Sequence, residues 1–200
     1  MYDGGIRVPG VIEWPARIKT PLVSQLNSVT TDILPTLCEL AGIDFPLREL
    51  DGLSLTGTFD GTLQQRPAPI FFWQYNVGQD KQREPWIPGP LQIGTTPLVK
   101  MMGNVYTRTF RNFKHPEIVA SDYDGGRVVL ADNHKLVVAG NGASLKAQLF
   151  KVPDDVAERN NIAAENPEVV RGMLEKLRIW QTSVLTSLTG AEYKPPIKTK

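Results

Sequence analysis

The sequence predicts a mixed α/β chain in two blocks: a short strand and a helix near the start, then a small antiparallel sheet and a long final helix. Three observations carry this reading. Apolar residues recur at helical spacing over about 31–41 and again over about 167–188, short β-like runs fill the ground between, and a stretch rich in Pro, Gly and Thr separates the blocks at 44–69.

Taken in order, Gly4-Gly5 permits positive φ and close approach of a backbone or ligand. The apolar Ile6, Val8, Val11, Ile12 and Trp14 between Pro9 and Pro15 then read as a short buried strand. Arg17 to Pro21 forms a surface loop. The helix at about 31–41 is capped by Thr30 or Thr31, takes Pro35 in its first turn and stops at Gly42. Its Ile33, Leu34, Leu37, Cys38 and Ala41 share one face, which predicts a core-facing helix with Cys38 as a core thiol. From Ile70 the texture turns to strands: Ile70 to Tyr75, Arg127 to Leu130, and Lys135 to Ala139, the last two joined by the turn former Asp132-Asn133. Between them Asp80 to Gly94, with Pro85, Pro88 and Pro90, reads as an irregular excursion. Asn166 as cap and Pro167 as first helical residue open the last helix. Its Val170, Met173, Leu174, Leu177, Trp180, Val184 and Leu188 form a continuous stripe ended by Gly190.

Charge narrows the partners. With 22 basic and 21 acidic residues among 200, the net charge of +1 gives no long-range field toward nucleic acid. The one basic concentration, Arg108, Arg111, Lys114 and His115 interleaved with Phe110 and Phe113, reads as a solvated loop or an anion-binding edge. No apolar run has the length of a bilayer span, the first residues lack the order of a signal peptide, and one cysteine forms no internal disulfide.

Several strings resemble the sulfatase family, and in that family's order. Tyr2-Asp3-Gly4-Gly5-Ile6-Arg7-Val8-Pro9, followed by an apolar run and Trp14-Pro15, resembles its Tyr-Glu-Gly-Gly-Ile-Arg-Val-Pro stretch, with Asp3 in place of Glu. Asp32-Ile33-Leu34-Pro35-Thr36-Leu37 resembles its Asp-Ile-x-Pro-Thr-Leu helix, and Asp51-Gly52-Leu53-Ser54-Leu55 its Asp-Gly-x-Ser-Leu segment. Leu149 to Asp155 with Glu158, Asn161, Ile162 and Ala163 is similar to a stretch near sulfatase C-termini, except that Lys151 replaces Asp and Val156 replaces Pro. The resemblance covers most of 1–75 and 127–185 and leaves 76–126 unplaced. It implies the C-terminal edge of a large sulfatase α/β domain with its connector over 1–68. A small C-terminal α+β subdomain, an antiparallel sheet packed on the long helix, would then occupy 69–200.

The resemblance implies sulfate-ester hydrolysis by the parent, with calcium, a formylglycine made from Cys in Cys-x-Pro-Ser-Arg, and cationic groups around the sulfate. None of these maps here: Cys38 is followed by Glu39-Leu40-Ala41-Gly42, and the sulfate-contacting Lys of the family lies a few residues before the Gly-Gly turn. No catalytic or metal residue is therefore expected in this chain, which should be inactive alone. Asp3, Gly4, Gly5 and Arg7 would support the active-site rim, and His115 and His134 are candidate substrate contacts. His134 stands where sulfatases often place an aromatic residue, so packing is its competing role. The implied partners are a sulfated small molecule or carbohydrate and the missing N-terminal sulfatase domain, in a parent that is periplasmic or secreted. A phosphoric-ester hydrolase of the same alkaline-phosphatase-like superfamily is the alternative. A non-catalytic carbohydrate-binding remnant, with Trp73, Trp86 and Tyr75 as its platform, is another.

Overall fold

The computed structural model describes residue 2 and residues 6–45, 49–75, 115, 117–152 and 154–191. They form a mixed α/β fold. After a 3-10 turn at Thr30–Asp32 comes helix α1, Ile33–Ala41. Strands β1 (Ile70–Tyr75), β2 (Gly125–Ala131), β3 (His134–Ala139) and β4 (Lys146–Lys151) make a four-stranded sheet in the order β1-β2-β3-β4, and helix α2 is Pro167–Leu188. The basic cluster Arg108, Arg111 and Lys114, the platform residue Trp86 and the Asp80 to Gly94 excursion lie outside the described residues.

The β2–β3 and β3–β4 pairs are antiparallel, with Val129 opposite Leu136 and Leu136 opposite Leu149. Asp132 makes the β2–β3 turn at φ +50°, a left-handed conformation that a short polar side chain tolerates. On the next connection Gly140, at φ +68°, is required twice over: its backbone is left-handed, and a Cβ there would lie 2.3 Å from the Ser144 carbonyl oxygen. The buried Arg127 guanidinium donates to the Gly140 carbonyl and closes that corner.

The chain divides into two compact units, Met1–Trp73 with Gly126–Arg178, and Gln74–Gly125 with Ile179–Lys200. The core of the first gathers Ile70, Val128, Val129, Leu136, Val138, Leu149 and Phe150 with Met173 and Leu177, all buried. Its sheet is closed on one side by the loop after β4. There Ile162 donates to the Leu149 carbonyl, and the Asn161 Oδ1 accepts from the Leu149 amide at 3.0 Å. In the second unit, Gln181 and Leu185 are buried, and the Gln181 amide reaches the Tyr123 carbonyl at 3.3 Å.

Two expectations fail at the N-terminal block. Residues 8–14 form no strand, and Val8, Val11 and Ile12 are 82%, 92% and 53% exposed. A lone extended segment has no ladder to join, and none of the four described strands pairs with it. Helix α1 also turns the other way: Ile33, Leu34 and Leu37 are exposed, Cys38 is half-buried, and the buried residues are Asp32, Pro35 and Thr36. The helix is held by its polar face, and its apolar face is open. At the other end α2 has the predicted bounds, and Gly190 at φ +73° follows its last turn.

Candidate functional site

The polar face of α1 is the most tightly built site outside the sheet. Asp32 is fully buried, and four donors converge on its carboxylate. Oδ1 accepts from the Leu53 amide at 2.9 Å and Arg66 Nη2 at 2.8 Å; Oδ2 accepts from the Val29 amide at 2.8 Å and Arg66 Nη1 at 2.7 Å. One turn on, the Thr36 hydroxyl donates to the Asp32 carbonyl at 2.6 Å and accepts the Leu55 amide at 2.9 Å. Gly52 lies so close to the helix start that a Cβ would fall 2.0 Å from the Thr31 carbonyl oxygen. Burial alone would raise the Asp32 pKa, but the Arg66 and backbone hydrogen bonds, with the Arg66 charge, outweigh it and hold the carboxyl below its ordinary value. The carboxylate is a satisfied anchor.

The same economy appears elsewhere. Asp122, buried in the turn at Ala120–Tyr123, accepts from the Tyr75 hydroxyl at 2.9 Å and the Val119 amide at 2.8 Å. Lys135 and Glu158 form a buried ion pair, Glu158 at φ +52°. Asp155 accepts the Arg159 and Asn160 amides at 3.0 and 2.8 Å, and these hydrogen bonds hold its carboxyl low. Among the described residues no three His, Cys, Asp or Glu side chains come together to hold a metal ion. With the oxygens of Asp32, Asp122 and Asp155 turned to their own backbone and to Arg66 and Tyr75, these residues do not fit a calcium site.

Of the residues singled out by sequence, Asp3, Gly4 and Gly5 lie outside the described residues. Their flanks do not. Tyr2 is anchored on β4, its hydroxyl donating to Gln148 Oε1 at 3.0 Å and its ring edge-on to Phe150 at 6.5 Å. Arg7 is exposed. His134 opens β3, half-buried, opposite Ala131 on one side and Lys151 on the other. Because side chains alternate along a strand, Lys151 and its partner His134 project to the face opposite Phe150, and so opposite the face that Tyr2 covers. His115 is 5% exposed, a buried ring set edge-on to Tyr75 at 6.2 Å. Sequence reasoning passed over Asp32, Thr36 and Gly52 as functional elements of the fold. The available signal was Asp32 and Thr36 four residues apart, on the side of the helix away from the apolar stripe.

No family model matches the chain. It is 25% identical over 189 residues to a sulfatase of Formosa agariphila, a match that takes in 90% of this chain and 28% of that protein. It is 38% identical over 72 residues to human arylsulfatase A, 36% of this chain and 14% of that one. The chain is related to sulfatases. The chain spans about a quarter of the length of the Formosa agariphila sulfatase. Among solved structures, the phosphonate monoester hydrolase of Agrobacterium radiobacter aligns with 75% of it at 23% identity and a TM-score of 0.40. In this chain the strings Asp-Ile-Leu-Pro-Thr and Asp-Gly-Leu-Ser are the two halves of one hydrogen-bonded joint, Asp32 and Thr36 on one side and the Leu53 and Leu55 amides on the other.

Proposed function

We propose that this chain is the C-terminal portion of a sulfatase whose complete form hydrolyses sulfate esters, and that the chain alone turns nothing over. The observation that carries the reading is the match to a sulfatase along nine-tenths of the chain. Sulfate-ester hydrolysis needs an activated oxygen nucleophile, a cation and positively charged groups around the sulfate. The single cysteine, Cys38, sits half-buried on a helix and is followed by Glu39-Leu40-Ala41-Gly42, a context unlike Cys-x-Pro-Ser-Arg. The formylglycine, the calcium and the cationic clamp would come from the N-terminal part of an exported parent.

In this reading the block 1–68 completes the large domain and 69–200 is the small one. Asp3, Gly4, Gly5 and Arg7 would support the active-site rim; Tyr2, next to them in sequence, is held on β4 through Gln148 and Phe150. The exposed Val8, Val11, Ile12, Ile33, Leu34 and Leu37 are the surface on which the N-terminal part docks. The substrate is a sulfated small molecule or carbohydrate, with the half-buried His134 the residue to test for contact with it; His115, expected in a solvated loop, is instead buried against Tyr75 and is not offered to a substrate in this chain.

The experiment is an assay of the purified chain on 4-nitrophenyl sulfate. No release above background is expected, in the unsubstituted chain or in Cys38→Ser. Turnover that Cys38→Ser abolishes would overturn the assignment.

A further inference from the structure

We draw no further inference here: the strongest candidate, the cluster of half-buried Tyr75 with buried His115 and Asp122 at the end of β1, braces the 119–123 turn through its hydrogen bonds, and nothing in the structure shows what it would bind.

Discussion

Asp32 shows what a single side chain does in this fold. A buried carboxylate stripped of its counter-charge, or a guanidinium stripped of its carboxylate, costs about 3–5 kcal/mol. Asp32→Ala removes the counter-charge of Arg66, whose side chain is 7% exposed and keeps only a 3.5 Å contact to the Asn27 carbonyl, and strips the Leu53 and Val29 amides of their acceptor. Denaturant unfolding of Asp32→Ala should therefore show a loss of about 3–5 kcal/mol, or separate melting of the N-terminal block. The pH dependence follows from the sign of the shift. With its folded pKa depressed, Asp32 contributes stability that is complete above the unfolded carboxylate value near 4 and is lost as pH falls through the lower folded value. In acid titrations the wild type should destabilise over that window, and Asp32→Ala should lack this part of the slope. An identical acid profile in both would remove Asp32 as the anchor.

Elements differ in how much of them the sequence discloses. The strands at 70–75 and 134–139, the latter read from Lys135, and the helix at 167–188 were legible because their signals are local: an aromatic run, a β-branched pair, a turn former, a cap and a stop. Strand β4 was not expected: only its last three residues, Leu149-Phe150-Lys151, stood in a family string, and Lys-Ala-Gln-Leu-Phe-Lys has no β-branched residue and a lysine at each end. Helix α1 was placed correctly and oriented wrongly. Its stripe says that Ile33, Leu34 and Leu37 need cover, whereas what holds it is a set of partners about 20–35 residues away, which periodicity does not encode. The site was less legible still, because the Asp32 joint depends on the close approach of Gly52, and the face assignment of His134 depends on register. Two contrasting substitutions test this. Leu177→Ala in the buried stripe of α2, 2% exposed, should cost about 2–5 kcal/mol in denaturant unfolding. Leu34→Glu with Leu37→Glu on the open face of α1 should change stability by well under about 1 kcal/mol and raise solubility. A large loss from the double variant would mean that this face is packed in the isolated chain.

At the scale of the whole molecule, one contrast stands out. The sheet core is closed, with Val128, Val129, Leu136 and Leu149 at 0% exposure, whereas Val8, Val11, Leu22, Val23, Ile33, Leu37 and Ile43 are each more than half exposed. Monomeric proteins rarely leave so many large apolar residues from one segment in water, and such surface marks an interface. The isolated chain should bind a hydrophobic dye or self-associate, and the Leu34→Glu, Leu37→Glu variant should do so less. A monomer that unfolds cooperatively and ignores the dye would count against an uncovered face. The central claim, that this chain completes a sulfatase, is tested most directly by reconstitution. The chain is co-expressed with a separately supplied N-terminal sulfatase part carrying Cys-x-Pro-Ser-Arg and with a formylglycine-generating enzyme, and turnover of 4-nitrophenyl sulfate is measured for each piece and for both. The account predicts hydrolysis only with both present, reduced by Arg7→Ala and unchanged in its chemical step by Cys38→Ser. A stable complex that releases nothing from the sulfate, or that hydrolyses 4-nitrophenyl phosphate instead, would contradict it.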